Sequence, residues 1–205
     1  MFTALWRLLA VALVLLAVYC LWPRTASLAS FDPEKMTELH LQLWKRDGKD
    51  VSAAVPVLYQ LYSGQYGLPP ISSILMAFDV SRARQVFSSA PDEADQEKAL
   101  RPLKDGYARF KSALRASWDA DVLARVEMST WVLRKDPKRI KELTIANSEL
   151  MGLLYGRPAA DFVPIARKLA KAEIAAAGSE PVTAKTEAKE AFTSLKKLVA
   201  PPAAK

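Results

Sequence analysis

Trp118–Pro158 opens WDADVLARVEMSTW and closes LLYGRP, and an earlier stretch echoes it: FDPEKMTELHLQLW at Phe31–Trp44, then QYGLP at Gln65–Pro69. With Asp32 laid on Asp119, Trp44 falls on Trp131, Met36 on Leu123, Leu39 on Val126 and His40 on Glu127. A further slip of two residues brings Tyr66, Gly67 and Pro69 onto Tyr155, Gly156 and Pro158. The Asp-to-Trp spacing is 12 residues in both copies, and Trp-to-Tyr is 22 in one and 24 in the other, a difference a loop absorbs. The spacing predicts a diverged internal duplication. It gives an architecture and names no reaction.

Each copy carries helix punctuation. Asp32 stands where an N-cap stands, Pro33 at the first helical position and Glu34 on the positive end of the dipole. Met36, Leu39, His40, Leu43 and Trp44 then recur at helical spacing. A second helix runs from about Val51 to Tyr62, with Pro56 near its first turn. Gly67 is expected left-handed in the turn before a Pro-started third helix, which carries Ile71, Ile74, Leu75 and Phe78 and reaches about Phe87. Residues 89–117 read as a linking helical segment, broken at Pro102 or at Asp105-Gly106. In the second copy Asp119 caps a helix with Leu123, Val126, Glu127, Thr130 and Trp131 inward. Asp136-Pro137 starts the next, with Gly156 at its C′ position, and a last helix runs to Gly178. No stretch of the body alternates with period two for long, so no sheet is expected. The expected fold is all-α: a helical bundle of two diverged three-helix repeats plus a linking helix, with an N-terminal membrane helix.

The expected boundaries follow from composition. Residues 1–30 form a signal-anchor or transmembrane segment and 31–177 the bundle, with repeat one at 31–88, the linker at 89–117 and repeat two at 118–177. Residues 178–205 form a Lys/Ala/Pro-rich tail, largely disordered with a possible short amphipathic helix around Phe192, Leu195, Leu198 and Val199. Leu8–Trp22 is apolar without interruption, yet 15 residues reach only about 22 Å against a hydrocarbon core of roughly 30 Å. The run from Phe2 spans it if Arg7 snorkels. Three readings stand: an uncleaved anchor, a signal peptide cut after Ser27-Leu28-Ala29, and a lipidated Cys20, against which the bulky Tyr19 argues. The anchor leads, in the cytoplasmic (inner) membrane, single-pass, with the body on the extracytoplasmic side.

Charge and residue types narrow the function. The chain has net charge +7, of which residues 31–177 hold +3, so nucleic acid is not an expected partner. A lone cysteine permits no disulfide framework within one chain, and one histidine with no Glu-x-x-His pair argues against a metal. No cofactor is expected. Phosphate-loop, His-Glu-x-x-His, Gly-x-Ser-x-Gly and Gly-x-Gly-x-x-Gly signatures are absent from the chain. His40 and Glu127 are candidates for a buried polar pair, since each sits on an apolar stripe at the same repeat position. Arg134, Lys135, Lys138, Arg139 and Lys141 form a candidate anion or partner patch at a helix start. Trp44, Trp131, Tyr66 and Tyr155 are the expected core anchors of the repeats.

The paired helices ending in Trp and followed by Tyr-Gly-x-Pro resemble a group of small bacterial all-helical proteins with duplicated repeats of this kind. The resemblance covers about Phe31–Gly178 and implies a fold but no activity. This chain departs from a symmetric pattern by having His40 where its second copy has Glu127. The reading that follows is a membrane-anchored helical interaction or scaffold module with a protein partner. Its alternatives are a carrier holding an apolar or amphipathic small molecule between the repeats, and an enzyme using His40 and Glu127 as acid and base.

Overall fold

A computed structural model describes residues 26–46, 50–90, 92–178 and 180–200, together with Trp6, Arg7, residues 10–12 and Val14. Among them there is no strand. The helices are α1 (Pro33–Arg46), α2 (Val51–Tyr59, continued as a π-helix Gln60–Gln65), α3 (Pro70–Ser89), α4 (Glu93–Glu97), α5 (Leu100–Leu114), α6 (Ala120–Leu133), α7 (Ile140–Tyr155), α8 (Val163–Ala177) and α9 (Pro181–Val199). Short 3₁₀ turns at Pro137–Arg139 and Ala159–Phe162 precede α7 and α8.

Local chemistry sets the ends. Asp32 Oδ1 accepts from the Lys35 N–H at 2.7 Å, and Asp119 Oδ1 accepts from Asp121 and Val122 at 2.8 and 3.3 Å. Each satisfies donors that a helix start leaves without intrahelical partners. Gly67 and Gly156 both adopt the left-handed region, at φ 66° and 63°, where a side chain would strain the backbone.

The helices pack in a ring. α1 lies on α2, α2 on α3, α3 on α5, α5 on α6, and so on through α7 and α8 to α9, which returns to pack on α1. One large apolar core runs through all of them, from Phe31 and Met36 through Val80, Phe110 and Trp131 to Phe192. The all-α bundle is therefore shown.

Two expectations are corrected, and α3 takes a face that the sequence left unassigned. The tail from residue 178, expected to be largely disordered, instead contributes α9, which buries Ala184, Ala188, Ala191, Phe192 and Leu195. Its Lys and Glu residues hid a line of alanines, small enough to let α8 and α1 approach closely. The linker is not broken at Pro102 or Gly106: α5 runs through both. Pro102 falls in the first turn, where its missing N–H costs nothing. Gly106 is a contact point, since a Cβ there would lie 3.1 Å from Val80 Cγ2 of α3. On α3 the bulky stripe faces outward: Ile71, Ile74, Leu75 and Phe78 are exposed, while Ser73, Met76, Ala77, Val80, Ser81, Ala83, Arg84 and Phe87 are buried.

The N-terminal membrane helix has no support in the structure. No helix among the described residues is long and apolar enough to cross a membrane. Most of the run Leu8–Trp22 lies outside the described residues. Those that are described, Trp6, Val11 and Val14 among them, are helical and exposed.

Candidate functional site

The ring encloses a cavity of about 180 Å³, to which α1, α2, α3, α6, α7, α8 and α9 all contribute. Its apolar lining comes from leucines such as Leu58, Leu150 and Leu169. Its polar lining is unusually charged for an interior: His40, Arg84, Glu127, Arg134 and Glu173, with Thr130 and Asn147. Ionisable groups inside a bundle are costly unless they are paired. Their partners account for most of the geometry.

Arg84 stands at the middle of the set. It reaches from α3 to donate its Nη2 hydrogen to the Leu43 carbonyl of α1 at 2.9 Å, and its guanidinium lies 5.6 Å from the Trp131 ring centroid. Its charge also acts on Glu127 and Glu173. Glu127 accepts from the Tyr107 hydroxyl of α5. Burial pushes the Glu127 carboxyl above the usual range, opposed by that hydrogen bond and by the charges of Arg84 and Arg134. Glu173 is buried and accepts from Asn147 Nδ2 at 3.0 Å. Burial raises its carboxyl too, Arg134 opposes that most strongly, and the neighbouring Glu127 adds to the rise. The interior thus holds two carboxyl groups biased toward their neutral forms, beside two guanidinium groups.

His40 lies half-buried against Trp44 and Phe192, with ring centroids 5.6 and 4.7 Å away. Its Nδ1 is 2.9 Å from the Met36 carbonyl, so the proton sits on Nδ1 and Nε2 is left as an acceptor. Burial lowers its pKa to about 4, against the raising effect of the Met36 carbonyl and with a smaller lowering from Arg84. His40 is therefore a neutral imidazole at physiological pH.

The structure brings His40 and Glu127 to one cavity. It does not join them: among the described residues no hydrogen bond links the two, and each is held by a different partner. Trp44, Trp131, Tyr66 and Tyr155 line the same cavity. Trp131 is the buried one, 3% exposed against Phe87, whereas Trp44 is half-buried. Tyr155 donates to the Leu28 carbonyl at 3.3 Å.

Trp44 and Arg134 also line a second, wider space. It is a cleft of about 1180 Å³ between the ends of α1, α6, α8 and α9, with Lys45, Lys135, Lys171, Glu180 and Glu187 around it. Lys171 pairs with Glu187 at 3.6 Å, and the Lys135 ammonium lies 4.3 Å from the Phe87 ring centroid. The basic cluster read from the sequence divides here. Arg134 and Lys135 face the cleft, Arg139 is engaged by Glu142 in the first turn of α7, and Lys138 and Lys141 are exposed to solvent.

Arg84 and Glu173 were not singled out from the sequence. Both sit on helices that also bury apolar side chains, Met76, Val80 and Phe87 beside Arg84 and Ile165, Ala170 and Ala175 beside Glu173, and a charged residue next to small neighbours does not announce which face it takes. Among the described residues no group of three His, Cys, Asp or Glu side chains is disposed to hold a metal ion. Compared with known proteins, the chain matches no family model, no curated protein and no solved structure.

Proposed function

We propose that this chain is a membrane-tethered module that binds a small amphipathic molecule at the centre of its helical ring. The observation that carries the reading is the cavity itself. Both halves of the chain send ionisable and aromatic side chains to it, and it adjoins the open cleft through Trp44 and Arg134. Concave sites with an apolar lining and a few convergent polar groups are where small molecules bind. The cavity alone is small, so the ligand would place a polar head among Arg84, Glu127 and Glu173 and leave its remainder in the cleft. An acid–base enzyme built on His40 and Glu127 is less well supported, because each already has a hydrogen-bond partner other than the other.

Two further parts of the reading have their own support. The tether is residues 1–30, on the strength of the apolar run Phe2–Trp22. A chain released from membranes by carbonate washing would remove it. The duplication is supported by the matching left-handed Gly67 and Gly156 and by His40 and Glu127 both reaching the cavity. A superposition of α1–α3 on α6–α8 that fails, with helix directions opposed, would end it.

The binding reading is tested by thermal melts of the full chain in detergent against small amphipathic carboxylates, amines and neutral analogues. At least one class should raise the melting temperature, and Leu154→Trp, which fills the cavity from α7, should abolish that rise while the variant stays folded. A rise that survives Leu154→Trp, or none in any class, overturns it. A scaffold role draws on a different observation, the exposed face of α3.

A further inference from the structure

We propose that the outward face of α3 rests on the lipid surface, so that the bundle lies against the membrane rather than hanging from it. This rests on the tether reading above and adds a second point of contact.

Ile71, Ile74, Leu75 and Phe78 are 52%, 43%, 40% and 52% exposed, and they fall at i, i+3, i+4 and i+7, a single face of the helix. Other exposed apolar side chains, such as Ile145 and Val182, are scattered singly, which is ordinary for a surface. Four together on one helix are not, and such patches mark contact with an apolar partner. No other helix among the described residues covers them.

The way the chain arrives says what that partner is. Ser27 N–H donates to the Tyr66 carbonyl at 2.9 Å, Ser30 Oγ to the Gln65 carbonyl at 2.8 Å, and the Asp32 N–H to Gln65 Oε1 at 2.9 Å. The segment following the apolar run is therefore pinned to the turn that leads directly into α3. From Trp22, the last residue of that run, to Ser27 is five residues, a reach of at most about 17 Å when fully extended. A membrane holding the apolar run is thus held close to the start of α3. The stripe begins at the second residue of that helix and continues for two turns.

Charge agrees with a lipid surface. α5 lies antiparallel beside α3: Ser72 and Leu75 share a shallow groove with Arg109, Ser112 and Ala113, and Arg109 pairs with Asp79 at 2.7 Å. The C-terminal end of α5, with Lys111 and the exposed Arg115, therefore sits beside the start of the stripe. The groove's own charges, Asp105 and the Arg109–Asp79 pair, lie toward the middle of α3, and the cationic end of α5 lies toward its start, the end where anionic headgroups would meet it.

The test uses the full chain with Cys20→Ser, reconstituted in vesicles of mixed phosphatidylcholine and phosphatidylglycerol. A fluorophore is attached at Ile74→Cys or Phe78→Cys, and for comparison at Ile145→Cys or Val182→Cys. Nitroxide-bearing lipid should quench the probe at 74 or 78 and leave the probes at 145 and 182 unquenched. Ile71→Asp with Phe78→Asp should abolish quenching at 74 without altering the melting temperature, since these positions are exposed. Vesicles of phosphatidylcholine alone should give weaker quenching. Equal exposure to solvent at all four positions, with the chain retained on the vesicles, overturns the docked face and leaves the tether standing. Disulfide-linked dimers through Ile74→Cys without quenching overturn it in favour of a second copy of the chain. Failure of the chain to stay with the vesicles at all would instead remove the tether.

Discussion

His40 titrates in the opposite sense to the carboxyl groups around it, and that separates its contribution from theirs. Its folded pKa, about 4, lies below its ordinary value of 6.5. The unfolded chain therefore binds the extra proton first as pH falls, and the stability His40 contributes is full above 6.5 and lost on descent toward 4. Complete loss amounts to about 3 kcal/mol, from the shift at 1.36 kcal/mol per unit. Glu127 and Glu173 have raised folded values, so the strain of holding them charged is relieved as pH falls through those values toward the usual carboxylate range. The wild-type profile sums these opposed effects. Denaturant melts of wild type and His40→Gln across pH 4–7 should therefore show the difference between the two closing steadily on acidification below 6.5. A constant difference would mean that His40 does not titrate in a buried setting. At this scale the sequence was partly legible. His40 and Glu127 stood out because an ionisable group on an apolar stripe is unusual. Arg84 did not, because two Arg, at 82 and 84, among Ser, Ala and Gln are what a solvated face looks like.

Backbone meets backbone closely where α7 turns into α8. A Cβ on Gly152 would lie 3.1 Å from Ala159 Cα, 3.1 Å from the Arg157 carbonyl oxygen and 3.2 Å from the Ala159 nitrogen. All three are backbone atoms, and none can swing aside as a side-chain tip would. Gly152→Ala should destabilise the chain by about 1–3 kcal/mol, against the modest gain that Gly to Ala brings in an open helix, and a urea midpoint reads the sign directly. The caps at Asp32 and Asp119 and the turns at Gly67 and Gly156 were legible because they are local: a few neighbouring residues decide each one. The burial of α3 was not. Its outward face carries Ile71, Ile74, Leu75 and Phe78, while its buried face mixes Ser73, Ala77, Ser81 and Ala83 with Met76, Val80 and Phe87 where α2 and α5 pack. A pattern read by bulk alone turns such a helix inside out.

For the molecule as a whole the decisive contact is α9 on α1. Lys189 reaches Glu34 at 3.1 Å, Lys196 Nζ donates to the Ala29 carbonyl at 2.6 Å, and Phe192 packs on Phe31 and His40. Burying Phe192 and Leu195 is worth about 1.5–3 kcal/mol each, so ending the chain at Gly178 should cost at least several kcal/mol. The expected result is loss of the cooperative melt. Phe192→Ala is the milder test, with an expected loss of about 3–5 kcal/mol. Unchanged melting of both would make α9 an appendage rather than the closing member. This closure could not be read from composition, because its two sides are the most distant parts of the folded chain. The same distance has a consequence in time. Glu34 and Lys189 are separated by 155 residues, which a ribosome working at about 5–20 residues per second covers in roughly 8–30 s. For that interval Phe31, Met36 and Leu39 lack the α9 side chains that pack against α1 in the folded chain. The apolar surface of α1 that α9 covers therefore waits for a partner made much later in synthesis.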